Sequence, residues 1–376
     1  ILGTDFYTFM GAIYGGQNSI LPLFFFVLIG CGWIAADKHL PAVTSQPDLK
    51  MYALCDIRSE RAEALKKQYH IDAKVYTDYR EMLKDPEIDI VEVATPNPLH
   101  CEMTVAALEA GKHVLCEKPM ATTKAECELM IAAAKKAGKK LTVGYQWRYR
   151  AEALMVKDIC AAGELGEIYY AKAHATRYRG VPTWGEYLSG KNGGGVFIDG
   201  VPHSLDLTLW AMNNYEPASV KANIYDRMKG KPEGCGWGGW KEEDFKVEDS
   251  GFAIVTMKNG ATVYIEASWL INMLSDDMKT TLCGTEGGLD MFGGPHTVRF
   301  NGVKHGRSFL KTYDCSDPMA PGAVQTPAPP LAEIRHFVDC IRNDTDPFIK
   351  PEEAMVVTQI IEGIYRSAAS GEEIFF

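Results

Sequence analysis

The chain lacks the patterns that define several large classes of proteins. Its 10 cysteines include no Cys-x-x-Cys pair and its 9 histidines show no zinc-type spacing, so we expect reduced thiols and no metal site. The 39 Lys and Arg residues are outnumbered by 49 Asp and Glu residues, and the net charge of -10 argues against a nucleic-acid partner. The sequence also has no internal repeat and no long low-complexity tract, which argues against a solenoid or a largely disordered chain.

No Lys or Arg occurs before Lys38, although residues 20–29 form a very apolar run. A signal peptide needs a basic segment ahead of such a run, and a bilayer span needs about 20 apolar residues. We therefore interpret Phe24–Ile29 as a buried parallel strand and expect a cytoplasmic protein without a membrane partner. Residues 1–22 are an extension of unknown role, either an arm that packs on a partner subunit or a stretch foreign to the domain.

Strands and helices alternate from Phe24 to about Val143, and the pattern changes after Arg150. Alternation of this kind predicts an α/β fold with a doubly wound parallel sheet covered by helices on both faces. Strand-like runs dominate the second half, and Asn259-Gly260 between two of them predicts a hairpin. The second half is therefore predicted to be an α/β domain with a mostly antiparallel sheet.

The segment GCGWIA at residues 30–35 has the form GxGxxA and directly follows the first strand. In this pattern the first glycine, Gly30, makes a tight turn, and the second, Gly32, lets the backbone approach a pyrophosphate. The amino end of the following helix then faces the phosphates. The pattern predicts a dinucleotide site that includes Trp33 and Ile34, and Trp33 could wall the nicotinamide or pack on its own helix.

Asp56 ends the second strand, near the place expected of an acid that binds the adenosine ribose. Its carboxylate would accept hydrogen bonds from the ribose hydroxyls and repel a 2′-phosphate, which favours NAD over NADP. Arg58 leaves NADP open, because its guanidinium could hold that phosphate. The alternative for Asp56 is a solvated cap of the next helix.

Thr95, Asn97 and His100 follow the fourth strand, and loops at the carboxyl ends of parallel strands line the ligand crevice. Asn97 could bind the phosphate or the ribose edge of the cofactor. His100 could also contact it, or could open a helix without touching a ligand.

Lys118 follows the next strand, and Asp199 and His203 follow a triple glycine at residues 193–195. Oxidation of a secondary alcohol needs a base for the hydroxyl proton, and the intrinsic pKa of histidine suits this role near neutral pH. Lys118 would place positive charge near the developing alkoxide. Asp199 could share one face of a helical turn with His203 and fix its tautomer, with Asp206 as an alternative partner. The competing interpretations are a solvated strand-end lysine and a core histidine.

These segments together resemble the glucose–fructose oxidoreductase / inositol dehydrogenase / rhizopine-catabolism (Gfo/Idh/MocA) family over residues 24–376. The resemblance implies an N-terminal Rossmann domain and a C-terminal α/β domain with an open sheet that forms homodimers, homotetramers or larger homo-oligomers. It also implies hydride transfer at a ring hydroxyl of a sugar, glycoside or cyclitol. The matching segments are the turn at 30–35, the loop ATPNPLH at 94–100, the triplet Glu117-Lys118-Pro119, the segment 193–206 and the closing stretch 351–376.

By the same resemblance, Lys118 matches a catalytic lysine that also contacts the cofactor, His203 the acid/base, and Asp199 a neighbouring acid. The peptide before Pro119 is expected to be cis. The family often has D-x-G-x-H, whereas here Val201 takes the glycine position and the glycine is Gly200. The resemblance places Gln146 and Arg148 among the polar residues that line the cleft. The predicted cofactor-binding residues are Gly30, Gly32, Trp33, Ile34, Asp56, Arg58, Thr95, Asn97, His100, Glu117, Lys118 and Gln146.

Aromatic and basic residues in the second half suggest a carbohydrate site. Trp184 could stack on a pyranose ring or a flat aglycone, and Arg177 could hydrogen-bond to ring hydroxyls. Trp237 and Trp240 in a glycine-rich loop could do the same or pack between subunits. The predicted substrate-binding residues are Lys118, Arg148, Arg177, Trp184, Asp199 and His203.

The domains are predicted at residues 23–147, which bind NAD, and 148–376, which bind substrate and form the oligomer. The predicted activity is NAD-dependent oxidation or reduction of a secondary ring hydroxyl, with C3 of a glucoside as a more specific guess. One alternative activity is that of a redox-neutral glycosidase, which oxidises its substrate transiently with bound NAD.

The other alternative is not an enzyme: a non-catalytic dinucleotide sensor that regulates a partner protein.

Overall fold

The computed structural model describes residues 23–291, 296–316 and 328–376. Contacts within the chain divide these residues into two units. The first unit contains residues 23–146 and 328–355, and the second contains residues 147–316 and 356–376, without the gap at 292–295.

A six-stranded parallel sheet forms the centre of the first unit, with the strand order β3-β2-β1-β4-β5-β6. This is the strand order of a doubly wound nucleotide-binding sheet, and the order in which strands are added reverses between β1 and β4. The predicted Rossmann sheet is therefore confirmed. Its strands are β1 Phe24–Ile29, β2 Leu49–Cys55, β3 Lys74–Tyr76, β4 Ile90–Val93, β5 His113–Cys116 and β6 Leu141–Val143.

Helices connect these strands, and their ends follow local sequence signals. Thr123 accepts a hydrogen bond from the main-chain N–H of Glu126, whose side chain returns the contact, and Gly138 ends the same helix in the left-handed conformation. Ser59 is the first residue of the helix Ser59–Gln68, and Arg58 takes its cap position. The helices of the first unit are Ala35–His39, which is a π-helix, Leu40–Thr44, Ser59–Gln68, Tyr79–Met82, His100–Glu109, Lys124–Ala137 and Pro329–Asn343, with a 3-10 turn at Asn97–Leu99.

The helix Pro329–Asn343 corrects the predicted domain boundary, which assigned all of residues 148–376 to the second domain. Its residues Ile334, Phe337 and Val338 belong to the hydrophobic core formed by β1, β2 and their helices. Arg342 also donates a hydrogen bond to Asp48 at 2.7 Å. The order of elements along the chain does not predict that this helix packs in the first unit. The apolar face of an amphipathic helix shows that the helix packs on something, but it does not show which sheet.

A nine-stranded sheet forms the second unit, within the described residues, with the order β14-β13-β12-β11-β7-β10-β9-β8-β15. β10 pairs with β7 in parallel, and the other neighbouring strands pair antiparallel, which confirms the predicted mostly antiparallel sheet. The strands are β7 Ile168–Thr176, β8 Pro217–Tyr225, β9 Ser250–Met257, β10 Thr262–Ser268, β11 Thr280–Gly284, β12 Gly287–Met291, β13 Thr297–Lys304, β14 Arg307–Asp314 and β15 Ile374–Phe375.

The predicted hairpin at Asn259-Gly260 joins β9 to β10, and Gly260 has φ +88°, a conformation that glycine adopts without a steric penalty. No helix in the described ranges is both long and apolar enough to cross a bilayer. The helices of this unit are Ala151–Ala161, Val196–Asp199, Val201–Met212 and residues 356–370 of the helix Pro351–Ser370, with 3-10 turns at Gln146–Tyr149 and Glu242–Asp244.

The placement of the returning helix can be tested by shortening one core side chain. Phe337 is 1% exposed, so Phe337→Ala should lower the free energy of unfolding by about 3–5 kcal/mol through a cavity in the first unit. Phe375 is 75% exposed, and Phe375→Ala should cost less than about 0.5 kcal/mol. Urea denaturation followed by circular dichroism measures both. Equal effects of the two substitutions would contradict the placement.

Candidate active site

The glycine turn follows the carboxyl end of β1, at the point where the strand order of the parallel sheet reverses. Gly30 has φ +98°, and a Cβ there would collide with the carbonyl oxygen of Ala94 at the end of β4. A Cβ at Gly32 would meet no atom within 4 Å, so the backbone there faces open space that a phosphate group can approach. The helix after the turn starts beside this space, because the Ala36 N–H already bonds to the Gly32 carbonyl at 3.1 Å.

Asp56 fixes this turn from the neighbouring strand. One carboxylate oxygen accepts the Cys31 N–H at 2.9 Å, and the other accepts the Arg58 N–H, also at 2.9 Å. The side chain is 8% exposed, and a carboxylate has about four lone-pair positions, so acceptors are left for a ribose hydroxyl. Asp56 therefore holds the glycine turn, and its contact with a ribose stays a prediction.

Two large apolar side chains stand exposed beside the turn. Trp33 is 61% exposed and Ile57 is 86% exposed, which is unusual for side chains of this size. Lys38 lies 5.6 Å from the centre of the Trp33 ring. Exposed apolar surface next to an open glycine turn fits a bound dinucleotide. Contacts at Trp33, Ile34, Arg58, Asn97 and Gln146 stay predictions.

His100 connects the loop after β4 to the loop after β5. Its Nδ1 lies 2.8 Å from the Pro119 carbonyl and its Nε2 lies 2.9 Å from the Thr95 carbonyl. The ring is buried, and both of its nitrogens contact main-chain oxygens. This geometry favours the alternative in which His100 braces the loops, while a contact with the cofactor stays a prediction.

Lys118 follows β5 within a tightly held loop. Its main-chain N–H donates to Oε2 of Glu117 at 3.0 Å, and its peptide bond to Pro119 is cis, as the resemblance implied. Glu117 is 6% exposed. A Cβ on Gly144 would lie 3.2 Å from the Glu117 carboxylate, so the glycine after β6 leaves room for it.

A buried histidine, which the sequence analysis missed, lies between two carboxylates. Nε2 of His39 is 2.7 Å from Oε1 of Glu117, and its Nδ1 is 2.5 Å from Oε1 of Glu92. Burial acts to lower the pKa of His39, but the two carboxylates outweigh it and raise that pKa well above its ordinary value. Burial acts to raise the pKa of Glu117, but His39 and Lys118 outweigh it and lower that pKa. No local signal marks this group, because its members come from one helix and two strands.

In the second unit, the triple glycine wraps around the carboxylate of Glu248. Its oxygens accept the N–H of Gly195 at 3.0 Å, the N–H of Phe197 at 3.1 Å and the hydroxyl of Tyr365 at 2.8 Å. A Cβ at Gly194 would collide with the Tyr365 hydroxyl, and a Cβ at Gly195 would collide with the Glu248 carbonyl. The glycines are therefore required by close approach, and Glu248 fixes the start of the segment that carries Asp199.

Asp199 is the last residue of the short helix Val196–Asp199 and lies between a tryptophan and an arginine. Its Oδ2 accepts the indole N–H of Trp269 at 3.0 Å and lies 3.7 Å from Nη1 of Arg177. The structure thus brings together Asp199 and Arg177, two of the predicted site residues. Trp269, which the sequence analysis did not name, is fully buried and anchors the carboxylate.

His203 lies in the first turn of the helix Val201–Met212, with Pro202 just before it, as its sequence predicted. Its ring stacks on Trp147, with ring centres 4.6 Å apart and an angle of 16° between the planes. Gly200 has φ -88°, which any residue can adopt, so the glycine shifted from position 201 does not distort the backbone. The contact predicted between Asp199 and His203 stays a prediction.

Arg148 requires a correction. Its side chain is fully buried and forms a bidentate pair with Asp206, with bonds of 2.8 Å and 2.5 Å. It also donates to the hydroxyl of Tyr215 at 3.3 Å. A guanidinium engaged in this way supports the fold rather than a substrate. Asp206 is accordingly a structural acceptor, which was the preferred interpretation of its role.

An aromatic surface adjoins Arg177. The guanidinium carbon of Arg177 lies 5.0 Å from the ring centre of Trp237, whose ring centre is 5.4 Å from that of Trp184. Both tryptophans are nearly half exposed. Tyr187 lies edge-on to Trp184 and also to Trp269, which connects this surface to Asp199. An exposed pair of indole rings beside a carboxylate and a guanidinium can bind a flat polar ring.

The fold and these residues define a dinucleotide-binding oxidoreductase, and comparisons with known proteins agree. The profile of the "Oxidoreductase family, NAD-binding Rossmann fold" (GFO_IDH_MocA) matches residues 24–145, and that of the GFO/IDH/MocA C-terminal domain matches residues 153–290. The chain therefore belongs to the Gfo/Idh/MocA family, and it is an oxidoreductase that acts on CH–OH groups with an NAD-binding Rossmann domain.

The chain is 30% identical to a D-glucoside 3-dehydrogenase of Escherichia coli (strain K12) over 350 residues, which cover 92% of this chain and 96% of that enzyme. It is 31% identical to an inositol 2-dehydrogenase of Salmonella paratyphi B over 195 residues, 51% of this chain and 56% of that enzyme. The structure of a levoglucosan dehydrogenase in complex with NADH and levoglucosan shares the fold. It has a TM-score of 0.80 and 22% identity, and the match covers 94% of this chain and 99% of that one.

The role of Asp56 can be tested by binding. Asp56→Ala removes the carboxylate that we expect to accept a hydrogen bond from a ribose hydroxyl, and a lost hydrogen bond to a charged group costs about 1.5–3 kcal/mol. NAD should therefore bind roughly 10- to 100-fold more weakly. Titration calorimetry measures the change, with the exposed Asp72→Ala as the matched control. An unchanged dissociation constant would remove Asp56 from the site.

Proposed function

We propose that this protein oxidises or reduces a secondary ring hydroxyl of a sugar, glycoside or cyclitol by hydride transfer, and that C3 of a glucoside is the reacting position. Similarity to D-glucoside 3-dehydrogenase over 92% of the chain supports the choice of substrate. The observation that carries the proposal is the surface in which Arg177 lies between the Asp199 carboxylate and the exposed rings of Trp184 and Trp237.

This surface offers the groups that a glycoside needs. A pyranose has apolar ring faces and polar edges, so indole rings can stack on the faces while charged groups bind the hydroxyls. Trp269 and Arg177 hold Asp199 in place, so its carboxylate has a fixed direction for accepting a hydroxyl. The half-exposed tryptophans leave room for an aglycone, which favours glycosides over small polyols.

The residues near the glycine turn fit a bound dinucleotide. Gly32 leaves the backbone open to a pyrophosphate, and Asp56 at the end of β2 suits a ribose. NAD supplies a hydride acceptor when it is bound. The Asp56 carboxylate would repel a 2′-phosphate, so we propose NAD rather than NADP. A homo-oligomeric state and a cytoplasmic location stay predictions.

The chain itself supplies the proton transfer and the charge. We propose that His203 takes the hydroxyl proton on a ring nitrogen, with Trp147 holding the plane of the imidazole. Lys118 would stabilise the alkoxide as it forms, and the loop around Glu117 fixes the backbone from which the ammonium extends.

The substrate is tested with a panel that contains methyl glucosides, aryl glucosides, glucose and inositol, using NADH absorbance as the readout. We expect NADH with glucosides, a 3-keto product by nuclear magnetic resonance, and no reaction with the matched 3-deoxyglucoside. Cleavage of the glycosidic bond without net NADH would favour the redox-neutral glycosidase. NAD binding without turnover of any substrate would favour the sensor.

The proposed catalytic pair predicts specific kinetic losses. Lys118→Ala and His203→Ala should each lower kcat by about two to four orders of magnitude, the usual scale for an acid–base group. His203→Ala should leave the NAD dissociation constant within about threefold, since the lost group serves the proton and not the cofactor. The exposed residues Lys67 and His305 give the matched controls Lys67→Ala and His305→Ala. Full activity in either test variant would refute its assignment.

A further inference from the structure

The buried imidazole of His39 reaches the main chain at Lys118 through one intervening side chain. Its Nε2 contacts Oε1 of Glu117, and Oε2 of the same carboxylate accepts the Lys118 main-chain N–H. We propose that His39 is a positioning residue, which holds the Glu117 carboxylate in the one orientation that fixes the backbone of Lys118. The inference rests on the proposed role of Lys118 in the reaction.

The helix geometry supports this role. Residues Ala35–His39 form a π-helix, in which the Leu40 N–H bonds back to the Ala35 carbonyl. A π turn is rare and is often found at functional sites. Here it lies just after the dinucleotide turn, and both Ala35 and His39 are fully buried. The helix that follows Gly32 therefore also carries His39, whose imidazole contacts Glu117 next to Lys118.

The charges also favour a fixed arrangement. Glu92 from β4 and Glu117 from the end of β5 are both buried, and His39 is the group between them. Two buried carboxylates at this spacing repel each other unless a cation separates them. Burial acts to lower the pKa of His39, but the two carboxylates outweigh it and raise that pKa, which favours the imidazolium between them. Burial raises the pKa of Glu92. Without the imidazolium, Glu117 would protonate or turn away, and its hydrogen bond to the Lys118 N–H would weaken.

The inference predicts a loss of turnover without a loss of cofactor binding. His39→Gln keeps a polar side chain but removes the charge, and it should lower kcat by about a hundredfold, because a small misplacement of a catalytic group has this effect. The dissociation constant for NAD should change by less than about threefold. Glu109→Gln is the control: it removes a carboxylate from the surface of the same unit, so kcat should stay within about threefold of the wild type.

A second control separates positioning from general loss of stability. Met82→Ala removes a fully buried side chain of the same unit that lies outside the core cluster containing Ala35 and Leu40, and it should leave kcat unchanged below its unfolding temperature. If Met82→Ala or Glu109→Gln lowered kcat as much as His39→Gln does, the effect of His39→Gln would not be specific to Glu117 and Lys118, and the inference would be wrong.

A readout without cofactor or substrate makes the test independent of the proposed function. Hydrogen exchange of the free protein, measured by mass spectrometry, reports the Lys118 amide, and Pro119 contributes none. His39→Gln should speed exchange in the peptide at 117–118 about tenfold, with exchange in β2 unchanged. If His39→Gln does not fold, Glu117→Asp, which shortens the side chain, should give the same local increase.

The kinetic experiment and the hydrogen-exchange experiment test different statements. Unchanged exchange at Lys118, or an equal increase in every strand of the sheet, would overturn the positioning role whatever the activity. A wild-type protein that turns over no substrate would refute the proposed function, while the exchange experiment would still decide the role of His39.

Discussion

The contact between a buried imidazole and a buried carboxylate organises the nucleotide-binding unit. His39 comes from the helix after the glycine turn, and Glu117 comes from the end of β5, so their contact ties the cofactor loop to the loop of Lys118. Burying a charged group costs free energy unless the group has a partner. Arrangements that leave His39 or Glu117 without a partner are therefore disfavoured. His100 adds a second connection, from the Thr95 loop to Pro119. The loops at the carboxyl edge of the sheet are therefore braced by side chains.

In the second unit, a buried carboxylate also fixes a loop, but its hydrogen-bond donors are different. The carboxylate of Glu248 gathers two main-chain N–H groups and the hydroxyl of Tyr365, and so it fixes the glycine segment before Asp199. Trp269 then fixes Asp199 itself. In both units, a buried carboxylate accepts main-chain N–H groups at or near a residue proposed for the chemistry. Such support is the usual condition for a precise site.

Hydrophobic patterns in the sequence predict a strand well where the strand is buried in the structure. β1 was predicted with the observed bounds, because its apolar run is continuous and the strand is largely buried. Other strands carry a weaker hydrophobic signal, since β3 has only three residues and β13 and β14 are largely exposed. Motifs predict the glycine turn, Asp56, Lys118, Asp199 and His203 as site residues. They do not reveal that Arg148 pairs with Asp206, because that partner lies 58 residues further along the chain.

The sequence by itself determined the Rossmann sheet, the glycine turn and the family, because each depends on residues close together in the chain. Only the tertiary structure decided that the helix Pro329–Asn343 returns to the first unit and that His39 lies between Glu92 and Glu117. It also decided that Glu248 supports the triple glycine. These contacts join residues far apart in sequence, and the free energy that selects them comes from burying apolar surface and pairing buried charges, which no local pattern records.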